Sequence, residues 1–308
     1  MSVVIEVRGL VKDYGRTRAL DGLDLEVRSG EVYGFIGPNG AGKSTTIRVL
    51  MDLLRPTVGE VRVFGLSPAA GGPALRARIG YLPGELAMGG RVTAGEHLHH
   101  LASLRGGRGR DAIDGLAERF GLDLGRSVRT LSKGNKQKVG VIQAFMHAPD
   151  LLVLDEPSSG LDPLLQHEFL ELVRETAARG ATVLMSSHVL REVETVADRV
   201  AVIRHGRTVD VDSVAGLRRR AGQRVSLRFA DAPDGAAAAA ISGVEDVRVD
   251  DHTLTCLLRG EPDELLKWAA GGRVVAWTAR DRDLEDLFLD GYRNHGVADE
   301  AEGARDAR

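Results

Sequence analysis

The stretch GPNGAGKST, residues 37–45, decides how the rest of the chain is interpreted. Its spacing is a glycine, four residues, and then Gly-Lys-Ser, which is the phosphate-loop pattern. Small residues leave backbone N–H groups free to surround phosphate oxygens, the Lys43 ammonium can reach the β- and γ-phosphates, and the Ser44 hydroxyl can hold Mg²⁺. The predicted triphosphate-binding residues are Gly37, Pro38, Asn39, Gly40, Ala41, Gly42, Lys43, Ser44 and Thr45.

The sequence on either side of this loop supports the interpretation. The preceding run EVYGFI has the apolar character of a buried parallel strand, and the following STTIRVLMDLL has helical spacing. The loop would therefore end at the N-terminus of a helix, where unpaired N–H groups and the helix dipole favour an anion.

Length and composition exclude several classes of protein. The chain has 308 residues, enough for two domains, and its net charge of −3 does not indicate a nucleic-acid partner. A single cysteine, Cys256, excludes an internal disulfide and a cysteine-based zinc cluster, and fits a reducing compartment. The N-terminus does not read as a signal peptide, and no apolar run is long enough to span a bilayer.

Two further strand ends carry polar side chains. LLVLDEP, residues 151–157, places Asp155 and Glu156 after a buried strand, where Asp155 would complete the Mg²⁺ shell and Glu156 would polarise the attacking water. ATVLMSSH, residues 181–188, places His188 at the end of the next strand, where it would contact the γ-phosphate. Because strand ends in such sheets share one crevice, these side chains should lie together, with Lys43, Glu156 and His188 as the catalytic group.

The order of patterns predicts an α/β fold. Short strands alternate with helices up to about residue 217, and a helical insertion covers about residues 86–150, so we expect a parallel sheet covered on both faces. A linker is expected around residues 216–224. Residues 223–295 show a β-α-β-β-α-β order that predicts a small ferredoxin-like α/β domain, and residues 297–308 have the composition of a disordered tail.

Three more stretches carry a family resemblance. LSKGN, residues 131–135, resembles the LSGGQ signature of ABC-type ATPases, with Lys133 and Asn135 in place of Gly and Gln. SSGLDP resembles the D-loop of that family, with Asp162 as its acid, and Tyr14 stands where the family stacks an aromatic ring on adenine. The resemblance covers about residues 3–220 and implies the ABC ATPase fold, with a parallel-sheet core, an antiparallel β subdomain and a helical subdomain.

The resemblance also implies a pair of chains. ABC ATP-binding domains work head to tail, so each ATP would lie between the phosphate loop of one chain and the signature of the other. The signature residues would then act on the partner's nucleotide. They are Leu131, Ser132, Lys133, Gly134 and Asn135.

One position departs from the family pattern. The family usually has a glutamine after the YLP of the third core strand, whereas this chain has GYLPGEL, with Gly84 at that place and Glu85 after it. Glu85 could turn inward, a water could replace the missing amide, or coupling could be weaker. The expectation from sequence is that Gly84→Gln raises ATP hydrolysis modestly.

The signature variant and the C-terminal region resemble bacterial exporters whose ATPase and permease are separate chains. The resemblance implies an ATP- and Mg²⁺-dependent hydrolase that forms a homodimer beneath a polytopic membrane permease, at the cytoplasmic face of the membrane, with no nucleic acid as partner. Two alternatives remain open at this point: an importer subunit, and a soluble ABC ATPase that acts on ribosomes or DNA.

Overall fold

The computed structural model describes residues 2–282, which form two compact units. The first ends at Asp212 and the second begins at Ser213. The predicted tail 297–308, and the part of the predicted C-terminal domain that follows residue 282, lie outside the described residues.

The first unit contains a three-stranded antiparallel sheet in the order β2-β1-β4. Burial alternates along the C-terminal half of β2, with Leu23, Leu25 and Val27 buried and their neighbours exposed, so one face of the sheet packs on the core. The strands are β1 (Val3–Tyr14), β2 (Thr17–Arg28) and β4 (Val58–Val63).

A six-stranded sheet forms the centre of this unit, in the order β5-β6-β7-β3-β8-β9. The neighbouring pairs from β5 to β8 are parallel. Every residue of β3, β6 and β7 is buried, as expected for strands covered on both faces. The strands are β3 (Val32–Ile36), β5 (Ile79–Leu82), β6 (Leu151–Asp155), β7 (Thr182–Ser187), β8 (Arg199–Arg204) and β9 (Arg207–Ser213).

Helices connect these strands. Between β5 and β6 lie three of them, whose apolar faces form a separate core that includes Leu98, Ile113 and Val139. The helices of the first unit are α1 (Lys43–Leu50), α2 (Pro68–Arg76), α3 (Ala94–Leu104), α4 (Ile113–Arg119), α5 (Lys133–Phe145), α6 (Pro163–Ala178) and α7 (Leu190–Val196). Among residues 2–282, none of the helices has the length and apolar character needed to cross a membrane.

The second unit begins with a helix where the sequence predicted a linker. Helix α8 (Val214–Ala221) starts at the cap residue Ser213, whose hydroxyl accepts the N–H of Gly216. A four-stranded antiparallel sheet follows, in the order β11-β12-β10-β13. Its elements are β10 (Gln223–Phe229), α9 (Gly235–Ala239), β11 (Val244–Asp250), β12 (Thr253–Leu258), α10 (Asp263–Ala270) and β13 (Val274–Asp281).

A buried histidine sits between α5 and β6. His147 is 3% exposed, its Nε2 lies 3.2 Å from the carbonyl oxygen of Ile79, and its Nδ1 has no hydrogen-bond partner. Burial lowers the pKa of His147 to about 4, with a smaller contribution from the positive charges of Arg105 and Arg108. The imidazole is therefore neutral in the folded protein at neutral pH.

The buried, neutral His147 should make the free energy of unfolding fall in acid. Between pH 6.5, its ordinary pKa, and about pH 4, the unfolded chain binds a proton at His147 that the folded chain does not, so stability falls as the pH falls through this window. We expect His147→Gln to reduce the drop in melting temperature between pH 7.5 and pH 5, measured by scanning calorimetry. His100→Gln, at an exposed histidine, should retain the full drop; equal drops in both variants would contradict the assignment.

Candidate functional site

The phosphate loop joins β3 to α1 and needs glycine at two places. Gly42 caps α1 with φ of 110°, a region that favours glycine. A Cβ on Gly37 would lie 2.4 Å from the carbonyl oxygen of Ile203, so no side chain fits there. The glycines therefore allow the loop to pack against Ile203 and to lead directly into the N-terminus of α1.

The Lys43 side chain folds back over this loop. It is 5% exposed, and its ammonium donates hydrogen bonds to the carbonyl oxygens of Gly37 at 2.6 Å and Pro38 at 3.3 Å. The same nitrogen lies 3.3 Å from Oε1 of Glu156, at ion-pair distance but without hydrogen-bond geometry. The nearly buried positive charge is thus held by loop carbonyls and one carboxylate.

The parallel register brings three strand ends together. Asp155 on β6 pairs with Ser186 on β7, and Ser187 pairs with Ile36 on β3. The residues that directly follow these three strands are Glu156, His188 and Gly37. All three therefore lie at the same edge of the sheet. This is the juxtaposition that the sequence predicted.

Asp155 is buried, at 3% exposure, and its orientation is defined by a hydroxyl. Ser186 donates to Asp155 Oδ1 at 2.6 Å. Nearby on β5, burial and then the negative charge of Asp155 raise the pKa of Tyr81 to about 12, so this phenol is neutral.

Glu156 lies between a lysine and a histidine. Its Oε2 is 2.6 Å from Nδ1 of His188, while its Oε1 faces Lys43. Its backbone has φ of 49°, a conformation that costs free energy in a residue other than glycine and that recurs at functional sites. Ser186 stabilises it, because the Glu156 N–H donates to both the hydroxyl and the carbonyl of Ser186, at 3.1 and 3.2 Å.

The signature residues lie at the N-terminus of α5. Ser132 is exposed and caps the helix by accepting the N–H of Asn135, whereas Leu131 is buried at 6% exposure. Gly134 packs so closely on the chain after Glu156 that a Cβ would lie 2.7 Å from the carbonyl oxygen of Gly160.

The other predicted residues lie apart from the cluster of Lys43, Glu156 and His188. Asp162 caps α6 by accepting the N–H of Leu165, and Tyr14 is 44% exposed at the end of β1, with Lys12 5.3 Å from its ring centre. Among residues 2–282, no hydrogen bond or ion pair joins Ser132 or Asp162 to Lys43.

Sequence reasoning missed several polar side chains that organise the site. Gln137 is 5% exposed and donates to the carbonyl of Pro157 at 2.7 Å, which ties α5 to the segment after Glu156. Ser186 and Ser187 end β7, whose central residues Val183, Leu184 and Met185 are apolar, and they directly precede His188. The sequence offered one sign of their role, which is the presence of two hydroxyl side chains at the end of a strand that was predicted to be buried.

Comparison with known proteins defines the class. A family model described as "ABC transporter" matches residues 20–159. The chain is 40% identical to the daunorubicin/doxorubicin resistance ATP-binding protein DrrA of Streptomyces peucetius, over 78% of this chain and 75% of that protein. It is 36% identical to the bacitracin transport ATP-binding protein BcrA of Bacillus licheniformis, over 75% of this chain and 76% of that protein.

A solved structure described as the ATP-binding subunit of an ABC transporter superposes with a TM-score of 0.66 at 33% identity, covering 70% of this chain and 92% of that one. The fold and the nucleotide-loop geometry thus define an ATP-hydrolysing ABC cassette. The chain belongs to the ATP-binding subunits of the ABC transporter family.

The packing at position 84 leads us to expect the opposite effect of a side chain there from the one that the sequence suggested. A Cβ on Gly84 would lie 3.2 Å from Asp155 Oδ2, so the carboxylate would have to shift by a few tenths of an ångström while Ser186 holds its Oδ1. We now expect Gly84→Ala and Gly84→Gln to lower ATP hydrolysis by about fivefold, or about 1 kcal/mol in activation free energy. Steady-state phosphate release, titrated with Mg²⁺, measures the effect.

Gly89 provides the matched control in the same connection, because a Cβ there meets no atom within 4 Å. Gly89→Ala should hydrolyse ATP at the wild-type rate. An increase in Gly84→Gln would restore the expectation from sequence that a glutamine amide at this position assists hydrolysis.

Proposed function

We propose that this chain powers a bacterial exporter whose membrane-spanning permease is a separate protein. The observation that carries the hydrolytic part is the contact of one carboxylate, Glu156, with both Lys43 and His188 at the mouth of the phosphate loop. The export assignment rests on the relatives, two of which are named for daunorubicin/doxorubicin resistance and bacitracin transport.

In this proposal, Glu156 orients and polarises the attacking water. A carboxylate serves as general base when it lies within hydrogen-bond reach of the water and is itself held in place. His188 fixes one oxygen of Glu156, and Lys43 lies next to the other. With ATP bound, the Lys43 ammonium exchanges its loop carbonyls for phosphate oxygens, and His188 contacts the γ-phosphate.

The residues present suit a magnesium ion. Mg²⁺ prefers oxygen ligands and retains several waters, so the Asp155 carboxylate and the Ser44 hydroxyl suffice as protein ligands. Hydrogen bonding of Ser186 to Oδ1 of Asp155 leaves Oδ2 available. The ion would neutralise charge that develops on the phosphate oxygens.

Two copies of the chain would complete two sites. Ser132 is exposed at the N-terminus of the 13-residue helix α5, where unpaired N–H groups and the dipole suit a phosphate held by another chain. Tyr14 offers an exposed ring for the adenine of its own chain. We therefore propose a head-to-tail homodimer, in which Leu131–Asn135 of each chain acts on the nucleotide of the other and Asp162 lies between the two sites.

The dimer would bind the permease from the cytoplasmic side of the membrane, and the permease would select the substrate. We further propose that residues 223–282, the described part of the C-terminal domain that the sequence predicted, have a ferredoxin-like fold and support dimerisation. The order of elements from β10 to β13 and the strand order β11-β12-β10-β13 support that fold.

Glu156→Gln provides the central test. The amide keeps the shape of the side chain but cannot act as a base, so we expect at least a 100-fold loss of hydrolysis, the usual scale for a general base, with ATP binding retained. We expect the tagged variant, purified with ATP from gently solubilised native membranes, to bring down a multi-spanning membrane protein, identified by mass spectrometry.

The ATP-free preparation of the same variant is the control for non-specific recovery. Recovery of ribosomal or DNA-repair proteins without a membrane protein would overturn the transport assignment and leave the ATPase intact. Hydrolysis at the wild-type rate in Glu156→Gln would show that another group is the base.

A further inference from the structure

We propose that Glu192 is a positioning residue for hydrolysis, which holds the loop of His188 and the segment after Glu156 in a fixed relation. The proposal rests on the function proposed above, because it takes His188 and Glu156 as the hydrolytic pair. The sequence contains no motif that assigns a role to Glu192.

One carboxylate oxygen joins two chain segments. The Ser158 hydroxyl donates to Glu192 Oε2 at 2.6 Å, and the Ser187 hydroxyl lies 3.3 Å from the same oxygen. Ser158 belongs to the loop between β6 and α6, whereas Ser187 is the last residue of β7. Glu192, on the first turn of α7, is therefore the shared acceptor of both segments.

Both hydroxyls are buried, so this acceptor is hard to replace. Ser158 is 8% exposed and Ser187 is 1% exposed. A buried hydroxyl without an acceptor is destabilising, because its lost hydrogen bonds to water are not replaced. A charged acceptor also forms a stronger hydrogen bond than a neutral one. Loss of the carboxylate would therefore remove the acceptor of the Ser158 hydroxyl, whereas the Ser187 hydroxyl would keep the Val189 carbonyl as its acceptor.

The position of His188 depends on this arrangement. Ser187 precedes His188 directly, and its oxygen accepts the N–H of Val189 at 2.9 Å, so one hydroxyl is hydrogen-bonded to the residue after the histidine. The Ser187 proton is shared between Glu192 Oε2 and the Val189 carbonyl, 3.1 Å away. Loss of Glu192 frees this turn to rearrange around the Val189 carbonyl alone.

The other segment leads from Glu156 to Asp162. Ser158 follows Glu156 by two residues and precedes Asp162 by four. Glu156 is bonded to His188 by its side chain at 2.6 Å, and Ser158 is bonded through Glu192 to the base of the same histidine loop. The two connections form a closed loop of contacts, in which the Glu192 carboxylate holds the geometry of the Glu156–His188 pair.

A simpler explanation is that Glu192 only stabilises α7, since an acid in the first turn of a helix interacts favourably with its dipole. That role predicts loss of thermal stability without a specific effect on turnover. Positioning predicts a fall in kcat while KM for ATP stays constant, because the phosphate loop and Lys43 do not contact Glu192.

The test uses the full chain together with the membrane protein that co-purifies with it. We expect Glu192→Ala to lower kcat for ATP about tenfold, which corresponds to about 1.4 kcal/mol, with KM within twofold of wild type. Glu192→Gln should retain most of the rate, because its amide oxygen still accepts a hydroxyl. Ser158→Ala should lower kcat, and Ser158→Thr should restore it.

A double-mutant cycle tests the contact itself. If the two side chains act through one hydrogen bond, Ser158→Ala should add no further loss in the Glu192→Ala background. Glu26→Ala is the control, because Glu26 is exposed on β2 of the antiparallel sheet, where it pairs with Arg28 and not with α7. An unchanged kcat in Glu192→Ala, or effects of the two alanine variants that multiply, would overturn the proposal.

Hydrogen–deuterium exchange of the full chain provides a readout that does not depend on hydrolysis. Glu192→Ala should accelerate exchange in both segments, residues 157–162 and 187–190, whereas the dipole role alone would accelerate it only in α7. If the wild-type chain hydrolyses no ATP but both segments respond, the proposed function fails and the structural link stands. If hydrolysis is normal and neither segment responds, the link fails.

Discussion

The hydrogen bonding of β7 between β6 and β3 is the constraint on which the site depends. All three strands run in parallel, and their register places Asp155 beside Ser186 and Ile36 beside Ser187. The residues that follow therefore leave the sheet at one edge. A slip of one residue in either pairing would turn the hydroxyls and carboxylates to the opposite face of the sheet, because side chains alternate along a strand.

That arrangement has an energetic cost, which the neighbouring side chains offset. Lys43 and Asp155 are at most 5% exposed, and an isolated charge at such depth is strongly unfavourable. Each is held by specific partners: Lys43 by loop carbonyls and Glu156, and Asp155 by Ser186. The left-handed backbone of Glu156 persists because Ser186 accepts its N–H by both available oxygens. Ser186 thus holds the carboxylate of Asp155 and the backbone of Glu156, on either side of one peptide bond.

The sequence predicted the elements of this site better than their connections. A phosphate loop and acidic or histidine residues at strand ends are local patterns, and one rule about parallel sheets brought Lys43, Glu156 and His188 together. The contacts of Ser186 and Glu192 reach 31 and 34 residues along the chain, and no local pattern reports such pairs. Helix α8 occupies residues 216–221 of the expected linker at 216–224, and the sequence concealed this helix for a different reason. Three arginines and a glycine obscured the apolar spacing of Val214, Leu217 and Ala221, which are buried in α8.

The sequence by itself determined the class of the nucleotide site, because phosphate binding needs glycines, a lysine and a hydroxyl at fixed spacing in one continuous segment. Only the tertiary structure decided the orientation of Glu156, the limited room for a side chain between position 84 and the Asp155 carboxylate, and the link that Glu192 makes between two distant segments. The physical reason is that hydrogen bonds and close packing depend on distances of a few tenths of an ångström between residues far apart in sequence. Those distances are defined only when the sheet and its covering helices have packed together.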